Sequence, residues 1–262
     1  MNLLSNLPNW SLFIIFPLAS WSVLFLLVSF FRLVSRPLGF EDFDTDVLDT
    51  ATQNVMSGAY VVLGFVLVLV MSISNDIDNN ISKEASQIES LDRLLILDGS
   101  PAAQKAHQTL ILYTKSIVED EWDRLSGGEA KPITRKYADT LFEELRAIKV
   151  STQERAVLLQ NIVRTWDQIA QSRNLRIMNS QSHTPNLFWQ LSYLTVLGAI
   201  TIAALRLLKP SSIRIIALAV QLAMISWLFA TVMILDLPYL GQEKISPAAF
   251  DRAVRLMESR SF

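Results

Sequence analysis

Few side chains in this sequence stand at spacings that chemistry could use. The densest polar group is Glu119, Asp120, Glu121 and Asp123 around Trp122. Paired carboxylates bind cations or carry protons when a fold holds them together. The same run is also what a solvated helix face looks like, with Trp122 anchoring a bundle core or a membrane interface. Arg173 and Arg176 stand at i and i+3, so a helix presents both on one side. They could pair there with Glu84 or Asp92 on an antiparallel neighbour, or gather anions at a pore mouth. Asn54, Ser57, Ser72 and Ser74 are polar groups in or at the ends of a long apolar run. Such groups line a pore or make ordinary hydrogen bonds between helices.

The signatures of enzymes are missing. The two histidines, His107 and His183, form no HExxH or HxxxH pair, and each reads as a surface residue on a soluble helix. There is no glycine-rich phosphate loop and no GxSxG elbow, and Gly127-Gly128 reads as a helix stop. The absence of cysteine excludes thiolate catalysis, disulfides and cysteine-based metal centres. The expectation is therefore no enzyme, no cofactor and no metal. A formal net charge of -2 with no dense basic cluster gives no reason to expect nucleic acid.

The elements that must position these residues follow from where charge is absent. Of the 262 residues, 51% are hydrophobic and 18% charged, against roughly 25% charged in an ordinary soluble domain. The deficit is local. Residues 11–31, 50–75, 185–205 and 215–235 contain no Asp, Glu, Lys or Arg. Each run exceeds the ~20 residues a helix needs to cross a bilayer core of ~30 Å. The first run follows no basic residue and is longer than a signal-peptide core, so it reads as a retained transmembrane helix. The lipid bilayer is thus the expected solvent for these four runs. Gly58 and Gly64 lie in the second run, where small residues mark a helix packing face.

Between the second and third runs the sequence looks soluble. Ile73, Ile77, Ile81, Ile88, Leu91 and Leu95 form one amphipathic stripe that carries the second helix onward to Asp98-Gly99. Ser100-Pro101 reads as an N-cap with proline at the first helical position. It opens a helix through Leu110, Tyr113, Ile117 and Leu125. A shorter helix follows with Tyr137, Leu141, Leu145 and Ile148. Ser151-Thr152-Gln153-Glu154 then reads as a capping box for a helix with Leu158, Ile162, Trp166 and Ile169. Ser246-Pro247 caps a last amphipathic helix with Phe250, Val254 and Met257 on one side.

The expected fold is an all-α integral membrane protein, with four transmembrane helices and a helical-bundle extramembrane domain inserted between helices two and three. Its parts are residues 1–74 (helices one and two), 75–184 (the bundle), 185–236 (helices three and four) and 237–262 (a C-terminal tail with a short amphipathic helix). The two short loops hold Arg32, Arg36, Arg206, Lys209 and Arg214. The positive-inside rule puts these loops in the cytoplasm and the helical domain outside, although the tail carries Lys244, Arg252, Arg255 and Arg260. No ionisable residue remains inside the four runs, which argues against proton-coupled transport and leaves a channel open.

Several separated segments carry a family resemblance. They are Gly58 to Phe65, Glu84-Ala85 through Leu91 to Arg93, Tyr113 to Val118 leading into Glu121-Trp122, Arg173 and Arg176 before Pro185 and Trp189, and the run from Leu235 to Gly241 with Ile245 to Pro247 after it. Together they resemble the bestrophin-like domain family of bacterial membrane proteins, over most of the chain. The family's Asp-Arg-Pro-Phe-x-Gly stretch is matched from Asp236, with Leu237 in place of the arginine and Tyr239 in place of the phenylalanine. That exchange removes a charge from the membrane boundary. The resemblance implies a distant kinship to bestrophins, which are pentameric anion channels with the large domain in the cytosol, against the charge-based orientation. It adds Arg93 and Asp236 to Glu84, Glu121, Trp122, Arg173 and Arg176 as candidates for structural or anion-gathering roles.

Two functions fit these observations. One is a homo-oligomeric channel for an inorganic anion in the bacterial cell (inner) membrane, with helix two or its neighbours around an axis and Asn54, Ser57, Gly58 and Gly64 as candidate pore or packing positions. Four helices without buried charge do not enclose a pore alone, so this reading requires oligomers. The other is a non-conducting membrane sensor or scaffold whose helical domain docks a protein partner.

Overall fold

The computed structural model describes residues 8–38, 45–127, 132–180, 184–209, 211–236, 239 and 244–260. His183, Gly128, Leu237, Pro238, Gly241 and the loop acids Glu41, Asp42 and Asp44 lie outside the described residues. So do the side chains of Arg36 and Asp123. The described residues form eight α-helices and no strand: α1 (Asn9–Leu38), α2 (Thr45–Asp98), α3 (Pro101–Ser116), α4 (Pro132–Arg146), α5 (Gln153–Ser180), α6 (Asn186–Arg206), α7 (Ser212–Leu235) and α8 (Ala248–Ser259). Four helices are long and apolar enough to span a membrane: Asn9–Val34, Asp46–Asp98, Asn186–Arg206 and Ser212–Leu235.

The chain divides into two compact units, residues 1–74 with 183–243 and residues 75–182 with 244–262. The membrane unit is α1, the first part of α2, α6 and α7. Its core is aliphatic with one aromatic cluster: Leu24, Val28, Met56, Leu63, Ala203, Leu222, Ile225 and Phe229 are all buried. Small residues at Ala199, Ala203 and Ala204 let α6 sit close to its neighbours. Phe16 meets the Phe229 ring edge-on at 5.5 Å, and Trp189 does so at 6.0 Å.

The helical unit is the second part of α2 with α3, α4, α5 and α8. The stripe predicted on α2 is its core face, since Ile77, Ile81, Ile88, Leu91 and Leu95 are all 2% exposed or less. Gly99, at φ +64, turns the chain out of α2 in the left-handed conformation that glycine adopts without strain. Ser100 then caps α3, accepting from the Ala103 N–H at 3.2 Å. The sequence places residues 237–262 apart as a tail. In the structure α8 belongs to the helical unit, with Phe250, Ala253 and Met257 fully buried. A helix with that apolar face is unstable in water until a neighbour covers it.

Two local departures from the sequence reading have physical causes. The start of α5 is capped by Thr152, whose Oγ1 accepts from the Arg155 N–H at 3.2 Å, one residue later than the capping box centred on Ser151. The helix expected to run on to Leu125 stops being α-helical at Ser116. Residues Ile117–Glu121 form a π-turn and Trp122–Gly127 a 3₁₀ segment. The Trp122 N–H bonds back five residues to the Ile117 carbonyl, and Thr134 of α4 donates to the Ser116 carbonyl at 3.4 Å. A π-turn is rare because its wide backbone packs poorly, and it persists where side-chain contacts compensate.

Candidate functional site

Those contacts start from Glu121. The π-turn ends on it and its side chain is 0% exposed, so the residue leaves the solvated face and enters the bundle core. Its Oε1 accepts from Arg176 Nη1 at 2.7 Å. The remaining donors of Arg176 meet Glu84 of α2, Nε at 2.8 Å and Nη2 at 3.2 Å, as a two-pronged pair. Arg173, one turn earlier on α5, brings Nη2 to 3.6 Å from Glu121 Oε2. Phe250 of α8 lies under the Arg176 guanidinium at 5.5 Å. Two carboxylates and two guanidiniums thus cancel in charge inside a core of aromatic and aliphatic side chains.

Burial and neighbouring charge shift two groups here, Arg176 and Tyr113. Burial alone pulls the Arg176 guanidinium pKa down, but Glu84 and Glu121 outweigh it and hold the group above its usual range. Burial, reinforced by Glu84, pushes the Tyr113 phenol well above its usual value. Tyr113 is 0% exposed, stacks edge-on against Trp166 at 5.9 Å, and its hydroxyl has no hydrogen-bond partner among the described residues. Trp122 is 4% exposed, meets the Phe250 ring at 5.9 Å and donates from Nε1 to the Ile245 carbonyl at 3.3 Å. Trp122 is therefore a core residue of the helical unit. Of its acidic neighbours, Glu119 stays exposed and Asp120 half-buried.

The other sequence candidates are dispersed. Arg93 is exposed and pairs along its own helix with Glu89 at 3.7 Å. Asp236 belongs to the membrane unit, where it ends α7. Its carboxylate accepts from the Thr184 N–H at 3.0 Å, the Thr184 hydroxyl and Trp189 Nε1 at 3.2 Å. Asn54, Ser57 and Gly58 lie on an exposed face of α2, and Gly64 is half-buried. A Cβ built on Gly58 or Gly64 would meet nothing within 4 Å in the chain. Neither glycine serves a close helix approach within one copy.

That exposed face differs from the rest of the membrane unit. Ser22, Ser29, Thr201 and Thr231 each return the hydroxyl to the carbonyl four residues back, and Ser20 meets Ser226 at 2.8 Å. The side chains of Asn54, Ser57 and Ser72 are exposed and make no hydrogen bond with any described residue. Alongside them Val61, Phe65 and Val68 are more than half exposed.

Two clusters were not anticipated. His107, read from sequence as a surface residue, is 6% exposed, with Nε2 at 2.8 Å from Asp92 Oδ1. Arg260, just past α8, donates to the other Asp92 oxygen. The signal was present, because His107 shares a helix face with Ala103, Leu110 and Thr114, while Asp92 falls between Ile88 and Leu95 on the buried stripe of α2. In the membrane unit, Arg206 is 2% exposed and takes both oxygens of Asp49. Arg214 reaches the same carboxylate at 3.8 Å. No group of three or more His, Asp or Glu side chains that could hold a metal occurs among the described residues.

The family model for the bestrophin-like domain matches residues 18–250. No curated protein matches. Among solved structures, the chain is similar to a point variant of a membrane protein, with a TM-score of 0.66 and 12% identity over 94% of this chain and 97% of that one. It is also similar to a point variant of a bacterial bestrophin homologue from Klebsiella pneumoniae, with a TM-score of 0.64 and 13% identity over 94% of this chain and 99% of that one. At these identities the likeness is one of fold.

Proposed function

Since the chain belongs to the bestrophin-like domain family, we propose that it assembles as a closed homo-oligomeric ring in a bacterial cell membrane and conducts inorganic anions along an axis lined by α2. One observation carries the reading. Asn54, Ser57 and Ser72 point away from their own copy with every polar group unbonded beyond the helix backbone. Facing hydrocarbon, such groups are costly, whereas facing water or a neighbouring copy they are satisfied. Amide and hydroxyl donors also suit an anion that must shed part of its hydration without being trapped. Gly58 and Gly64 then provide close approach between copies, where none exists within one.

In this reading Glu84, Glu121, Arg173 and Arg176 hold the bundle together, because their charges are spent on one another, and Trp122 does so by packing on Phe250. The basic residues of the short loops support a helical unit outside the cytoplasm, while kinship with bestrophins supports the cytosol. The chain has no cysteine, so a single cysteine at exposed Gln160 reports the side directly. Labelling by an impermeant maleimide in intact spheroplasts supports the outward placement, and protection until lysis overturns it.

Native mass spectrometry of detergent-purified protein, followed by anion flux in liposomes, tests the channel. A single ring stoichiometry with flux, altered severalfold by Asn54→Leu with Ser57→Ala, is the expected result. A monomer or simple dimer without flux sinks it. The alternative then stands: a non-conducting scaffold whose helical unit, with Leu97 and Met178 strongly exposed, docks a protein partner.

A further inference from the structure

A cleft of about 300 Å³ opens in the helical unit between α3 and α4, lined by Ala102, Lys105, Thr140, Glu143, Glu144 and Ala147. Its polar groups are not balanced. The Glu144 side chain is 9% exposed, and its Oε1 stands 3.4 Å from the ammonium of Lys105, itself 73% exposed. Its Oε2 has no hydrogen-bond partner among the described residues. A carboxylate in that position has lost its hydration and gained one loose contact to a lysine that remains in water. Pairs of that kind recover little of the desolvation cost.

Glu143 adds a second carboxylate at the rim, 70% exposed and 3.8 Å from Arg146. Counting Lys105 as +1 and Glu143 and Glu144 as -1 each, the lining residues carry a charge of -1. The lining itself therefore favours a cation over an anion. A divalent metal finds only two carboxylates, one of them already beside an ammonium. The methyl groups of Ala102 and Ala147 leave room between the helices for a few methylenes. Lys105 is mostly solvated and can swing aside at small cost, since an exposed ion pair contributes little.

We propose that this cleft binds the ammonium group of a small organic amine, which takes the place of Lys105 on Glu144 while its carbon chain lies against Ala102 and Ala147. The ligand supplies what the buried carboxylate lacks, a charged donor held out of water. This holds whether or not the protein conducts.

The test is calorimetric titration of full-length, detergent-purified protein with putrescine, with tetramethylammonium chloride at equal ionic strength as the control that cannot donate a hydrogen bond. Saturable binding of putrescine is expected, with none for tetramethylammonium. Glu144→Gln weakens it by about tenfold or more. Ala147→Phe, which fills the cleft without touching a charge, does the same, and Lys105→Ala tightens binding severalfold. If Glu144→Gln fails to fold, Ala147→Phe decides alone. No saturable binding, an equal response to tetramethylammonium, or unchanged binding in the folded variants overturns the proposal.

Discussion

The two units of this chain treat polar side chains in opposite ways. In the membrane unit, most hydroxyls on α1, α6 and α7 fold back onto their own helix, four residues earlier. The charges that remain sit where the spans end, in Asp49 with Arg206 and in Asp236 with its three donors. In the helical unit, four charges are drawn into the centre, with Glu84, Glu121 and Arg176 all 1% exposed or less. The difference follows from the solvent. In hydrocarbon each helix must satisfy its polar groups locally, because no water is available to an unpaired one. In water a bundle can concentrate charge, provided that every member of the network is paired.

The contrast predicts where single substitutions hurt most. Arg176→Met leaves Glu84 buried and unpaired and Glu121 with only Arg173 at 3.6 Å, and is expected to cost the helical unit about 3–5 kcal/mol. Chemical denaturation followed by the fluorescence of Trp122 and Trp166 measures it. Adding Glu84→Gln and Glu121→Gln should restore much of the loss, and a failure to do so would break the view of the cluster as a closed charge network. Asp49→Ala in the membrane unit removes both acceptors of the buried Arg206 guanidinium, with an expected cost of about 1–3 kcal/mol, read as a lower melting temperature in detergent. A cost as large as that of Arg176→Met would mean that the two units do not differ in the way described.

The smallest expected effect is the most diagnostic. Tyr113→Phe removes a buried hydroxyl without a partner, so stability at neutral pH should change by less than about 1 kcal/mol and can rise. The pH dependence gives the sign. Burial raises the phenol's pKa in the folded protein above its usual value of 10.0, so its contribution is fully present below pH 10.0. Above that the unfolded chain ionises first, and the contribution fades as pH rises toward the folded value. Stability should therefore fall less steeply above pH 10.0 in Tyr113→Phe than in the parent chain. Equal slopes would show that Tyr113 ionises as readily folded as unfolded.

Much of the architecture was legible in the residues. The four uncharged runs, the α2 stripe from Ile77 to Leu95, the Ser100 cap and the stop at Gly99 all rest on local chemistry of a few neighbouring residues. The candidate cluster was half legible. Arg173, Arg176 and Glu84 announced themselves by spacing, but Glu121 sits in an acidic run that reads as solvated, and its burial depends on a π-turn that no local propensity signals. His107 was missed because a lone histidine carries no periodic pattern of its own and must be placed against its neighbours' stripe.

Sequence by itself determined that this chain enters a membrane four times and carries a helical bundle between its second and third spans. Hydrophobic run length and helical period are local properties, and those suffice for spans and stripes. Only the tertiary structure decided which charges go inside. Glu84 and Arg176 lie 92 residues apart, and Asp92 and Arg260 lie 168 apart. It likewise decided that α8 completes the bundle and that the Asn54 and Ser57 side of α2 is left without a partner in its own copy. Those outcomes depend on which helices meet and at what register, which packing of the whole unit fixes and no window of sequence contains.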